Sequence, residues 1–149
     1  MRHINDGTEE PPRLRCDLNV ITLLQLPEWS TGPKGELPEC FDAIKAAGYE
    51  GIQSFDTRGA RDAGLGICSM GKVDKPDDAK RWADLWVKWG VDGATVHVGT
   101  GIESDALSNQ LLEEIIEAEA ESGIPTFVEV HRATIPQDLW RAVEFAHRN

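Results

Sequence analysis

Three features that would each indicate a class of protein are missing or scarce in this sequence of 149 residues. No apolar run reaches the roughly 18 residues that a membrane-spanning helix needs, so we expect no contact with a membrane. The three cysteines, Cys16, Cys40 and Cys68, have no paired spacing, which excludes a disulfide framework and a zinc ribbon. Basic residues are also scarce: 15 Lys and Arg against 26 Asp and Glu give a formal charge of -11, which argues against a nucleic-acid partner.

The N-terminus is polar and lacks the apolar segment of a secretory signal. We therefore expect a cytoplasmic protein with reduced thiols, in which Cys16 and Cys68 are buried because each lies in an apolar run. Residues 1–15 are expected to form a mobile tail, since they show no hydrophobic periodicity and contain the pair Pro11 and Pro12. Residues 16–149 are expected to form a single domain.

Apolar runs and helical periodicities alternate along this domain. The pattern predicts strands at 16–22, 51–55, 65–69, 93–98 and 126–131. It predicts helices at 36–47, 76–89 and 104–122, with Ser104 as the cap of the third. Residues 56–64 are either a turn or a short helix. Thr134 and Gln137 have the spacing of a capping box that would begin a fourth helix.

Strand–helix alternation of this kind indicates an α/β fold with a parallel sheet. Two architectures remain open. One is an open, doubly wound sheet, and the other is a (β/α)8 barrel, of which this length accommodates about five of the eight units. A sequential order of the five parallel strands would favour the incomplete barrel.

In both architectures ligands bind at the carboxyl ends of the strands, and three candidate residues lie there. Glu129 and His131 are two residues apart at the end of the fifth strand, so their side chains share a face. A carboxylate on such a face requires an ion pair or a metal ion. The fourth strand contributes His97, just before Gly99 and Gly101, which permit a close approach of backbone and ligand. A structural role for these histidines stays open.

Four segments together resemble the xylose-isomerase-like TIM-barrel superfamily, and within it the sugar phosphate isomerase/epimerase group. They are residues 17–19 (DLN), 47–53 (AGYEGIQ), 96–99 (VHVG) and 127–132 (FVEVHR). The resemblance implies that one divalent metal ion, Mn, Mg, Co or Zn, is held by four ligands from strands five to eight. Glu129 corresponds to the first ligand, and the other three would lie beyond Asn149.

The resemblance further implies catalytic roles for Glu129 and His131 and substrate binding by His97 and Arg132. The expected activity is a metal-dependent isomerisation or epimerisation of a sugar or sugar phosphate, by proton transfer next to a carbonyl of a small polyhydroxy compound. With one ligand of four, we expect the ion to bind only in the full-length protein and the chain as it stands to lack this activity. Two alternatives remain: a non-catalytic binding or self-associating module, hence a homo-oligomer, and an abasic-site nuclease, which the acidic charge disfavours.

Overall fold

The computed structural model describes residues 15–54 and 57–148 of the chain. The expected N-terminal tail lies outside the described residues except for Arg15, which pairs with Asp17 and Asp92. The elements are β1 (Asp17–Asn19), α1 (Leu37–Ala46), β2 (Gly51–Gln53), β3 (Gly66–Val73), α2 (Asp78–Trp89), β4 (Gly93–Val98), α3 (Asp105–Ser122), β5 (Thr126–Val128) and α4 (Leu139–Arg148).

The five strands form one parallel sheet in the order β1-β2-β3-β4-β5. The α/β class, the parallel pairing and the sequential strand order are therefore confirmed, and a doubly wound order is excluded for this sheet. The alternation agrees with a partial arrangement of β/α units. Residues 58–64, between β2 and β3, are turns rather than a helix.

The two faces of the sheet differ in burial. Sequential strands joined by right-handed crossovers place their helices on the same side of a sheet. On that side the β4 residues Ala94, Val96 and Val98 are at most 1% exposed. Side chains of the alternate residues form the opposite surface, which we call the open face and which is half-buried to exposed. It carries Gln53, Cys68, Met70, Lys72, Thr95, His97 and Phe127.

The first and last strands are shorter than predicted. After Asn19 the chain turns into a 3-10 helix at Val20–Leu23, because the Asn19 side chain accepts a hydrogen bond from the backbone N–H of Ile21 at 3.0 Å. β5 ends at Val128, so Glu129 and His131 follow it. The strand predicted at 51–55 is also shorter, because β2 ends at Gln53. The last residue of that prediction, Phe55, lies outside the described residues.

The third strand is longer than predicted, extending four residues past Ser69 to Val73. Residues 69–73 pair with 94–98 of β4. Gly71 looks like the end of the strand in the sequence, but it is required inside it: a Cβ atom there would lie 2.8 Å from Cζ2 of Trp86. The glycine therefore lets α2 pack against the sheet, and the strand continues to place Lys72 on the open face.

The first three helices agree with the predicted ones, whereas the fourth begins in a different way. Ser104 caps α3, with its hydroxyl accepting from the N–H of Leu107 at 3.3 Å. The capping box predicted at Thr134 and Gln137 is wrong, because a 3-10 turn at Ile135–Gln137 precedes α4 and the Thr134 hydroxyl donates instead to the carbonyl of His131. None of the helices in residues 15–54 and 57–148 has the length and apolar character of a membrane span.

The burial expected for two cysteines is wrong. Cys16 is exposed, Cys68 is half-buried, and Cys40, in α1, is the buried one. Cys16 precedes β1 and is not part of the strand, whereas Cys68 lies on the open face. Apolar neighbours in sequence did not indicate burial here, because alternate residues of a strand point to opposite faces.

Candidate functional site

The candidate residues lie along one row at the carboxyl end of the sheet. Lys72 of β3 and His97 of β4 are register partners on the open face. Thr95 and Phe127 are the last open-face pair of β4 and β5, so Glu129 is the next residue in line beside His97. The backbone N–H of Glu129 donates to the carbonyl of Val96 at 3.0 Å, which keeps Glu129 alongside β4 although the strand has ended.

Glu129, His97 and His131 meet in this row. Nε2 of His97 lies 3.3 Å from Oε2 of Glu129, and the rings of His97 and His131 stack with centroids 4.4 Å apart. Each of the three side chains offers a ligand atom, and these atoms all lie within 4.8 Å of one another. The structure thus brings together the three side chains that the strand alternation and the carboxyl-end rule had selected.

The His97 imidazole has an unsatisfied nitrogen. Nε2 is buried and has no hydrogen-bond partner, although the Glu129 carboxylate is within ion-pair distance. The two atoms are close enough but not aligned for a hydrogen bond, so we take the pair as two neighbouring ligand atoms rather than as a hydrogen-bonded pair. A buried polar atom without a partner is costly and is uncommon in folded proteins. A cation between the two side chains would satisfy both.

The loop after β5 fixes the proton position on His131. Nδ1 of His131 lies 2.8 Å from the backbone carbonyl of Arg132. A carbonyl oxygen can only accept, so Nδ1 carries the proton of the neutral ring and Nε2 keeps its lone pair. The Thr134 hydroxyl donates to the carbonyl of His131 itself at 2.5 Å and holds the residue in place.

The distances fit the divalent metal that the resemblance implies. Two ligand atoms at about 2.1 Å from one ion are separated by about 3.0–3.4 Å at octahedral or tetrahedral angles. The 3.3 Å between Nε2 of His97 and Oε2 of Glu129 lies within that range. Imidazole together with carboxylate suits zinc, cobalt and manganese better than magnesium, which prefers oxygen ligands.

Arg132 contributes to the site through its backbone. Its side chain is exposed, and no described hydrogen bond or ion pair joins its guanidinium group to His97, Glu129 or His131. Its observed contribution is the backbone carbonyl that orients His131. The substrate-binding role of its side chain stays a prediction.

Two sets of residues at the site were missed by the sequence analysis. Lys72, paired with Asp74 at 2.9 Å, was missed because the third strand was predicted to end at Ser69. A chain of hydrogen bonds also crosses the open face below His97: Asn19 donates to Gln53 at 2.8 Å, and Gln53 donates to the Thr95 hydroxyl at 2.7 Å. The alternation of side chains along β4 was the sequence signal for this hydrogen-bonded chain, because it places Thr95 on the same face as His97.

The loop between β4 and α3 is built around the carboxylate of Glu103. It accepts hydrogen bonds from the N–H and the hydroxyl of Thr100, both at 2.7 Å, and from the N–H of Gly101 at 2.8 Å. Desolvation raises the pKa of Glu103, but these hydrogen bonds outweigh it and lower the pKa from 4.5 to about 2. Arg141 of α4 donates to the backbone carbonyl of Glu103 at 2.9 Å and ties the loop to the last helix.

Glu103→Gln should lower the free energy of unfolding by about 1 kcal/mol at pH 7, because an amide oxygen replaces only part of the carboxylate's hydrogen bonding. Since the pKa of Glu103 is lowered in the folded state, its contribution is complete above pH 4.5 and disappears as the pH falls towards about 2. Urea unfolding at pH 7, 5 and 3 measures the difference. Glu113→Gln, an exposed change on α3, is the control. A Glu103→Gln deficit that is equally large at pH 3 would contradict the assignment.

No family model matches the sequence, and no curated protein matches it.

Proposed function

We propose that Glu129 and His97 hold a divalent metal ion and that His131 transfers a proton next to the carbonyl group of a small polyhydroxy compound, as in a sugar isomerase or epimerase. The observation that supports this most is the convergence of the three side chains, with ligand atoms within 4.8 Å of one another. The chain thus offers a second ligand atom beside Glu129, whereas the resemblance implies only one within this sequence.

Each residue has a distinct task in this proposal. When bound, the ion would polarise the substrate oxygens and favour the negative charge that develops when the proton leaves. His131 accepts the proton at Nε2, the nitrogen left without hydrogen by the Nδ1 contact with the Arg132 carbonyl. Thr95 and the amide of Gln53, which are hydrogen-bonded to each other on the open face, supply polar contacts for substrate hydroxyl groups.

We further propose that the sheet is the first part of a (β/α)8 barrel, as the resemblance implies. The sequential order of five parallel strands supports this proposal, since neighbouring strands of such a barrel follow one another in the chain. The polar side chains His97 and Glu129 at the carboxyl ends of the strands support it as well, because active sites of these barrels lie there. In this arrangement the open face would be the barrel interior.

The test is hydrogen exchange at the carbon next to a carbonyl. The chain, loaded with Co²⁺ or Mn²⁺, is incubated in D₂O with a panel of aldoses and ketoses, and deuterium incorporation is followed by ¹H NMR. Because His97 adds a second ligand atom beside Glu129, we expect metal-dependent exchange in this chain, in contrast to the inactivity expected from the sequence. The rate should fall by at least about 100-fold in His131→Ala, the usual range for loss of an acid–base group. His147→Ala, an exposed histidine in α4, is the control and should keep the wild-type rate.

The outcomes separate the roles of the two histidines. His131→Ala should lose exchange while keeping most of the metal affinity, whereas His97→Ala should lose both. Equal loss of metal affinity in the two variants would make His131 a ligand and remove its role in proton transfer. No exchange with any sugar of the panel, together with self-association in sedimentation, would favour the non-catalytic module, which the 62% exposure of Phe127 on the open face supports.

A further inference from the structure

Lys72 lies in the same row as the proposed metal ligands but has no part in binding the ion. It is the register partner of His97, one strand away, and its side chain lies on the open face. Its backbone is fixed, because the carbonyl of Lys72 accepts a hydrogen bond from the indole Nε1 of Trp82 at 2.8 Å. The backbones of Lys72 and His97 are therefore about one strand spacing apart, roughly 4.8 Å, and both side chains leave the sheet on the same face.

We propose that Lys72 binds an anionic group of the substrate, a carboxylate or a phosphate, while the oxygens next to it approach the ion held by Glu129 and His97. The substrate class is then an acidic polyhydroxy compound rather than a neutral sugar. This inference rests on the proposed function, since it places the reacting oxygens at the metal site.

The charge distribution supports this role. The chain has a formal charge of -11, and residues 90–131 contain no lysine or arginine, so β4, α3 and β5 bring no cation to the site. An anionic ligand would meet a repulsive field there unless a neighbouring cation supplied the compensating charge. The exposed Arg132 follows His131 in the loop after β5, whereas β3 places a cation in the row itself. Lys72 is the residue through which β3 does so.

Lys72 is also available for a ligand. Its ion pair with Asp74 is 2.9 Å long, but the two side chains are 54% and 40% exposed. Such exposed pairs are weak, because water screens both charges, so exchanging Asp74 for a substrate anion costs little. An ammonium group has three donors, and the contact with Asp74 uses one of them. The pair with Asp74 thus leaves Lys72 available to a second anion.

Three ligands of equal carbon number test the proposal: neutral glycerol, glycerate with a carboxylate, and glycerol 3-phosphate. Each is titrated calorimetrically into the Co²⁺-loaded chain. Lys72→Met should weaken binding of at least one of the two anions by about tenfold and leave glycerol unchanged. Lys72→Arg, which keeps the cation, should restore most of the affinity, and Asp74→Asn should tighten anion binding by removing the competing carboxylate.

Lys75→Met is the matched control, because it removes the same charge from an exposed lysine three residues along the chain. Loss for glycerate alone would assign a carboxylate substrate, and loss for glycerol 3-phosphate alone a phosphate ester. If Lys75→Met weakened anion binding as much as Lys72→Met, the effect would be a non-specific electrostatic attraction, and the inference would be overturned. Metal binding with anion affinities that do not respond to Lys72 would overturn this inference alone, whereas failure of the wild-type chain to bind metal would overturn the proposed function as well.

Discussion

Glu129→Gln should reduce the affinity of this chain for Zn²⁺ or Co²⁺ by about 100-fold, or roughly 2.7 kcal/mol. The substitution keeps the shape of the side chain and removes its negative charge, which is the strongest attraction that the site offers to a cation. His97→Ala should have an effect of the same order, because it removes the buried nitrogen that lies 3.3 Å from the Glu129 carboxylate.

Calorimetric titration measures these affinities, and the rise in melting temperature with added metal provides an independent readout. His147→Ala is the control, since it removes an exposed histidine from α4 and should leave the affinity unchanged. The wild-type chain should prefer Zn²⁺ and Co²⁺ to Mn²⁺, and Mn²⁺ to Mg²⁺, because an imidazole ligand favours the later transition metals. Metal binding that is insensitive to Glu129→Gln would place the ion elsewhere and remove the basis of the proposed site.

The convergence of His97, Glu129 and His131 could be predicted because it depends on two short-range regularities. Side chains two residues apart share a face of an extended segment, and parallel strands place their carboxyl ends at one edge. Both regularities apply here although β5 ends at Val128, because the backbone N–H of Glu129 still donates to the carbonyl of Val96. The parallel pairing followed similarly from the alternation of strands and helices, whereas that alternation left the order of the strands open between a doubly wound sheet and a barrel.

Lys72 could not be predicted in the same way, because its position depends on a contact distant in the chain. Gly71 resembles a strand end when only its neighbours are considered, and it is the packing of Trp82 and Trp86 against it that explains why glycine is needed there. At Thr134, by contrast, the sequence predicted a local motif that the structure does not contain. Its spacing to Gln137 fits a capping box, but its hydroxyl finds the carbonyl of His131, so a loop contact replaced the local motif.

Gly99→Ala should lower the free energy of unfolding by about 3 kcal/mol, the second large effect that we expect. The residue has a φ of 61°, where a side chain costs roughly 1–2 kcal/mol. A Cβ atom would also lie 2.8 Å from Cδ of Glu103 and 2.8 Å from Cδ1 of Ile135. Ile135 is 0% exposed and the Glu103 carboxylate is held by hydrogen bonds from Thr100 and Gly101, so displacing them adds about 1–3 kcal/mol.

Gly123→Ala separates the two contributions to this loss. Gly123 ends α3 with a φ of 69°, but a Cβ atom there would meet nothing within 4 Å. It should therefore cost only the conformational part, about 1 kcal/mol. Urea unfolding of both variants gives the difference, which is the cost of the contact between the β4–α3 loop and Ile135.

Because Gly99 follows His97 by two residues, Gly99→Ala should also weaken metal binding, whereas Gly123→Ala should not. Equal losses of stability in the two variants would show that Ile135 and Glu103 can move aside, and that the loop does not hold His97 in position.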